Sequence, residues 1–214
     1  MELSIFASGR GGAASGPVAP AHGYIRIVPA GREAVALTLY TIGHSTRPIG
    51  EFIGLLKENG VGLLADVRTV PGSRHNPQYG QEALAASLKE AGIGYLHLKG
   101  LGGLRGKARE SVSGGWRNAS FRNFADYMQT PEFAKALAEL ITLAEKRTSA
   151  VMCAEAVPWR CHRSLIADAL TAHGVQVIDI MGPGKTAPHR MTPFAKVDGG
   201  RVAYPRQEDD GPQD

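Results

Sequence analysis

Two hydrophobic rhythms alternate along this chain from Val35 onward. Short, nearly continuous apolar runs predict buried strands at VALTLYTI (35–42), VGLLADV (61–67), IGYLHL (93–98), SAVMCAE (149–155) and VQVIDIM (175–181). Between them, apolar residues three and four apart predict helices. PIGEFIGLLKENG (48–60) opens on Pro and closes on Gly, and QEALAASLKEAG (81–92) has the same spacing. PEFAKALAELITLAEKR (131–147) places Phe133, Leu137, Leu140, Ile141 and Ala144 on one helical face, and CHRSLIADALTAHG (161–174) follows as another helix.

Strands alternating with helices predict parallel pairing through right-handed crossovers. The expected fold is therefore α/β, a three-layer, Rossmann-like sandwich around a mostly parallel five-stranded sheet. The apolar strands agree, because parallel strands are covered on both faces. The expected organisation is one domain over 35–206, a flexible Gly-, Ala- and Pro-rich extension over 1–34, and a disordered acidic tail over 207–214. A glycine-rich insertion begins near residue 99 and turns helical around FRNFADYM.

Composition narrows the class. The chain has 214 residues, 43% of them apolar, enough to bury a full core. Two cysteines exclude a disulfide framework; they allow at most a single bridge, and free thiols fit a cytoplasmic protein better. There is no apolar run long enough for a membrane span, and the N-terminal stretch lacks the apolar core of a signal peptide. The net charge is +4 although four acids crowd into EDDGPQD at the C-terminus, so the body is more basic still. A basic body favours partners that carry phosphate, either a small molecule or nucleic acid. The composition leaves the cofactor unknown.

In open parallel sheets, sites lie beyond the carboxyl ends of the strands. Five segments with unusual polar residues converge there: GHSTR (43–47), DVRTVPGSRHNP (66–77), LKGLGGLRG (98–106), CAEAVPWRCHR (153–163) and GPGK (182–185). His44 and Ser45 either flank a reacting group or form a tight turn in which Ser45 caps the next helix. Asp66 and Arg68 point to the same side of a strand end; they either pair with each other or divide the work, Arg68 anchoring an anion and Asp66 orienting a partner. Over 99–122 there are six basic residues and one acid, with Gly100, Gly102, Gly103 and Gly106. This is either a hinged basic lid carrying Arg105 or a solvated loop, and Trp116 and Tyr79 are candidates to stack a base.

Both cysteines lie in CAEAVPWRCHR. Cys161 is expected beside a helix N-terminus, where the dipole together with Arg160 and Arg163 would lower its pKa, while Cys153 packs at the strand end. The spacing differs from a tyrosine phosphatase loop: six residues separate Cys153 from Arg160, and Pro158 removes a backbone donor. Glu155, just past a buried strand, is the leading acid/base candidate; the alternative is a structural clamp to Arg160 or Arg163. Compact metal-ligand spacing is lacking, so no metal is expected.

At these residues the chain resembles the DUF488 family, a widespread prokaryotic group named for having no assigned function. The resemblance runs from about Leu39 to Ala203 and rests on TIGHS (41–45), DVRTVPGSRHNPQY (66–79), YLHLKGLGG (95–103), MCAEAVPWRCHRSLIA (152–167) and VIDI (177–180). It implies a compact α/β fold and a shared signature of Glu155, Cys161, His162 and Arg163, without implying a reaction. Three functions are expected in order of preference. The first is an enzyme acting on a phosphate-containing substrate, a nucleotide or nucleic acid. Glu155 or Asp66 would be its acid/base, helped by His44, and Ser45, Arg68, Arg105, His162 and Arg163 would hold substrate. The second is a non-catalytic nucleic-acid-binding module. The third is a thiol- or metal-dependent enzyme centred on Cys161.

Overall fold

The computed structural model describes residues 37–72 and 74–206. The extension expected over 1–34 and the acidic tail over 207–214 lie outside the described residues. In chain order the elements are β1 (Thr38–Gly43), α1 (Ile49–Glu58), β2 (Leu63–Asp66), α2 (Gln81–Glu90), β3 (Gly94–His97), α3 (Ala119–Tyr127), α4 (Pro131–Lys146), β4 (Ser149–Cys153), α5 (Arg163–Ala172) and β5 (Gln176–Gly182). Three short strands follow: β6 (Lys185–Pro188), β7 (Lys196–Asp198) and β8 (Arg201–Ala203).

Local chemistry starts these helices where the periodicity places them. Asn118 caps α3 by accepting hydrogen bonds from the Ser120 and Phe121 N–H groups. Thr130 caps α4 by accepting one from Phe133 N–H, and Pro131 fills the first helical position, where no donor is needed.

The main sheet runs β3-β2-β4-β1-β5-β6, with β1 to β5 parallel and β6 antiparallel to β5. Its two faces bury separate clusters. Ile42, Leu64, Met152 and Ile180 pack against Phe52, Leu55 and Leu56 of α1 and Leu84 and Leu88 of α2. Leu39, Ala65, Val151, Cys153 and Val177 pack against α3, α4 and α5 through Phe124, Leu137, Leu140, Leu165 and Leu170. The fold is thus a three-layer α/β sandwich.

The sheet has six strands where the hydrophobic pattern predicts five. All four residues of β6 are exposed, so no apolar run marks it. It joins β5 through a turn at Gly184, whose φ of 61° suits glycine, and Pro188 is tolerated because the strand lies at the edge.

The connection leaving β1 enters α1 on one face, and the one leaving β4 enters α5 on the other. The ends of these neighbouring strands therefore form the switch point of the sheet. Their pairing continues past the strands, with His44 N–H donating to Cys153 O at 3.0 Å and Ser45 N–H to Ala154 O at 2.9 Å. Ser45 has a positive φ of 49°, an uncommon conformation for a residue other than glycine.

Candidate functional site

Directly beneath this switch point, on the α5 face, the two cysteine sulfurs lie 2.6 Å apart. Both thiols are free and buried, with Cys153 2% and Cys161 5% exposed. Arg163, the first residue of α5, is only 1% exposed and reaches back over the pair. Its Nη1 donates to Cys153 Sγ and to Glu155 O, both at 2.6 Å, and its Nη2 donates to Ala156 O at 3.0 Å. The Nε–H donates to Thr41 Oγ1 at 3.3 Å. A Cβ on Gly43 would lie 1.7 Å from Glu155 O and 2.9 Å from Arg163 Nη1, so glycine is what lets the carbonyl and the guanidinium approach β1.

Burial of Cys153 pushes its thiol up, but the Cys161 hydrogen bond and the adjacent guanidinium outweigh it and hold the group at about 7. The hydrogen bond to Cys153, reinforced by burial, pushes Cys161 well up. The lowered thiol expected at Cys161 is therefore found at Cys153. The α5 N-terminus does reach Cys161, with Arg163 N–H 3.5 Å from its sulfur, but the guanidinium makes its closer contact with Cys153.

His162 closes the third side. Its Nε2 lies 3.1 Å from Val67 O and its Nδ1 lies 3.4 Å from Cys161 Sγ. Burial holds this imidazole near 4, so it is neutral; Nε2–H donates to the carbonyl, and the Nδ1 lone pair faces the Cys161 thiol. Phe124 packs edge-on to the ring at 5.0 Å. A Cβ on Gly103 would come within 2.5 Å of His162 Nδ1, and one on Gly102 within 2.7 Å of Thr69 Oγ1. These glycines serve close packing. The 99–106 stretch is pinned, since Leu104 N–H donates to Thr69 Oγ1 at 2.9 Å.

A second polar cluster occupies the α1/α2 face of the same rim. Asp66, fully buried, accepts from Arg68 Nη2 at 2.5 Å, Arg68 N–H at 3.0 Å and Tyr95 O–H at 2.9 Å. Burial, then the adjacent carboxylate, push the Tyr95 phenol upward. His44 stacks on Tyr79 at 4.1 Å, with Nδ1 2.8 Å from Ser45 O and Nε2 3.4 Å from Arg68 Nη1. Burial, with Arg68 nearby, lowers its pKa. The ring is neutral, with Nδ1–H donating and the Nε2 lone pair facing Arg68.

The structure thus gathers Cys153, Cys161, His162 and Arg163 in one cluster and His44, Asp66 and Arg68 in another. Three expected substrate contacts are engaged within the protein. Arg68 forms an ion pair with Asp66, and Arg163 holds a thiol and two carbonyls. Arg105 donates to Gly102 O and Gly100 O at 2.8 Å and stacks on Tyr127 at 3.6 Å. Glu155 contributes its carbonyl to the site while its side chain is exposed, so partial burial of that carboxylate is not what the fold provides. The helix after Ser45 starts on Pro48 without a side-chain cap. Tyr79 is fully buried and presents no free face for a base, while Trp116 is half-buried and packs against Phe121, Phe194 and Tyr204. Among the described residues there is no group of three or more His, Cys, Asp or Glu side chains placed to hold a metal ion.

Thr41, whose hydroxyl also donates to Asp179 Oδ1 at 2.5 Å, and Gly43 take places in the site that their sequence context did not assign. A polar side chain inside each of two otherwise apolar strands, TLYTI and VIDI, was the available signal for Thr41 and Asp179.

Fold and site define an α/β protein with a buried, arginine-supported pair of thiols at the switch point of its sheet. The family model for the domain of unknown function DUF488 matches residues 48–170, and the chain belongs to that family. No curated protein and no solved structure matches it. Among the described residues no helix is long and apolar enough to cross a membrane.

Proposed function

We propose that the protein is a thiol-dependent oxidoreductase in which Cys153 is the nucleophile and Cys161 the resolving thiol. The observation that carries this reading is the buried guanidinium of Arg163 on Cys153 Sγ at 2.6 Å, with Cys161 Sγ at 2.6 Å on the same sulfur. A cation this deeply buried requires a counter-charge. The ion pairs among the described residues do not give Arg163 a carboxylate. A Cys153 thiolate supplies that charge.

The substrate class is a small electrophile X–Y with a weak bond such as O–O or S–S. The Cys153 thiolate attacks X, the S–X bond forms, and Y leaves with the bonding pair and takes up a proton. Cys161 then attacks the Cys153 sulfur, passing its proton to His162 Nδ1; the S–S bond forms as the S–X bond breaks, and X departs with the S–X bonding pair and takes up the proton from His162. The substrate gains two electrons, released as HX and HY, and the two thiols become a disulfide. An external dithiol returns the pair to its reduced form. A small substrate suits thiols that are 2% and 5% exposed.

A phosphate-containing substrate or nucleic acid is the weaker reading. It rests on the net charge of +4 and on exposed cations such as Arg74, Lys107 and Arg160, while Arg68, Arg105 and Arg163 face protein acceptors.

The test is a stoichiometric thiol titration combined with intact-mass analysis before and after exposure to hydrogen peroxide or a small disulfide. The expected result is loss of both thiols, with the mass of an intramolecular disulfide, and trapping of substrate-derived adduct on Cys153 in Cys161→Ser. Retention of two free thiols in oxidised wild-type protein overturns the proposal.

A further inference from the structure

Arg163 has five N–H donors, and its η nitrogens are directed at the Cys153 sulfur and at the carbonyls of the 155–156 loop. The hydrogen bond that ties the guanidinium to β1 is Nε–H to Thr41 Oγ1 at 3.3 Å. Thr41 is 1% exposed and has a single hydroxyl proton, which it donates to Asp179 Oδ1 at 2.5 Å. With the proton directed there, the hydroxyl presents only lone pairs to the guanidinium.

Strand register produces this arrangement. Thr41 of β1 and Asp179 of β5 are direct partners in the parallel ladder, so their side chains stand together on the α5 face. Two residues along β1 on that face is Gly43, the gap through which Arg163 reaches Cys153. The carboxylate is held from its other side. His189 is 3.8 Å from Asp179 Oδ2 through Nδ1 and 2.8 Å from Asp168 Oδ1 through Nε2. Asp168 is fully buried and also accepts from Tyr204 O–H at 2.8 Å and Thr192 N–H at 3.1 Å. A hydrogen-bonded and ionic chain thus links Cys153, Arg163, Thr41, Asp179, His189, Asp168 and Tyr204.

We propose that Thr41, its hydroxyl oriented by Asp179, is a positioning residue that aims Arg163 Nη1 at the Cys153 sulfur. This rests on the reading of Cys153 as the reactive thiolate. Thr41 touches neither sulfur; it acts through Arg163. Valine at this position keeps the shape and removes the acceptor. The guanidinium then loses its fixed Nε partner in a buried place and shifts away from the sulfur, and the thiolate loses stabilisation.

The experiment follows thiolate formation by ultraviolet absorbance as a function of pH in wild type, Thr41→Val and Thr41→Ser, with no need for a reagent to enter the site. The sulfur faces Arg163 from α5, Cys161 beside it and no carboxylate among the ion pairs described, so the lower titration reports on Cys153. The wild-type midpoint is expected near 7. Thr41→Val is expected to raise it by about one pH unit, cutting thiolate reactivity near neutral pH several-fold, while Thr41→Ser restores the wild-type value. Thr41→Ala serves in place of Thr41→Val if the valine variant does not fold. A wild-type midpoint near 9 overturns the thiolate reading itself. A low wild-type midpoint left unchanged by the loss of the hydroxyl overturns the positioning role alone.

Discussion

Cys153 and Cys161 meet sulfur to sulfur at 2.6 Å, and their acidities are driven in opposite directions, Cys153 down to about 7 and Cys161 well up. Two touching thiols cannot both ionise readily, so the group nearer the fixed cation becomes the anion and the other becomes its hydrogen-bond donor. The pair therefore has built-in polarity, Cys153 as the more acidic sulfur and Cys161 as its proton-bearing partner.

Replacing Arg163 with Met removes the cation while keeping much of the bulk. The Cys153 midpoint should climb towards the ordinary thiol value, and alkylation by iodoacetamide near pH 7 should slow about tenfold or more. Because thiolate is the reactive form, wild-type alkylation should fall as the pH drops through about 7. Peptide mapping of the alkylated protein over a pH series checks both.

Gly43→Ala forces a methyl group against the Glu155 carbonyl, 1.7 Å from the site a Cβ would take. Displacing that carbonyl breaks the Arg163 hold on the loop and should destabilise the protein by about 3 kcal/mol. Urea unfolding monitored by tryptophan fluorescence gives the value, and a change within experimental error would contradict the packing described here.

Asp66→Asn strips the carboxylate from a buried guanidinium. Breaking such a pair from one side costs about 3–5 kcal/mol, whereas Tyr95→Phe, which removes one hydrogen bond to the same carboxylate, should cost about 1–2 kcal/mol. Chemical denaturation of the two variants tests that order.

His189 offers a pH test. Burial lowers its pKa, but hydrogen bonds to Asp168 and Asp179 outweigh this and raise it to about 9. A raised folded-state value means that the stabilising charge is fully present below the unfolded value near 6.5 and is lost as pH rises through about 9. The penalty of His189→Gln should therefore be largest near pH 6, on the order of 2 kcal/mol, and shrink towards pH 9.5. Comparing wild type with variant at each pH cancels the contribution of Cys153. A penalty that grows with pH would refute the assignment.

The elements legible in the sequence were those whose burial is one-sided and periodic. α4 shows its apolar stripe, and β4 and β5 show continuous apolar runs because helices cover both faces. β6 was hidden, since an exposed edge strand in a Gly–Pro segment carries no hydrophobic signature. The CAEAVPWRCHR segment pointed to the site, but local reasoning chose the wrong cysteine for the low pKa. Helix proximity is visible in sequence, whereas the path of the Arg163 side chain depends on a gap at Gly43, more than a hundred residues upstream. Glu155 was misplaced for the same reason: the strand ends at Cys153, the main chain turns its carbonyl into the Gly43 gap, and the carboxylate is left facing solvent.

The partners of Asp168 bear on where this chain can be cut. The segment that matches the family model stops at 170, yet His189, Thr192 and Tyr204, which satisfy the buried carboxylate of Asp168, all lie beyond it. Gly43, Thr41 and Asp179 fall outside that segment as well. A fragment trimmed to 48–170 would carry both cysteines but would lack β1 and β5, the strands that aim the guanidinium, and would expose a stranded acid in its core. The recognisable stretch is therefore shorter than the network around Asp168, and expression boundaries drawn around the match alone should yield insoluble chain, while boundaries that reach from β1 to Tyr204 keep that network intact.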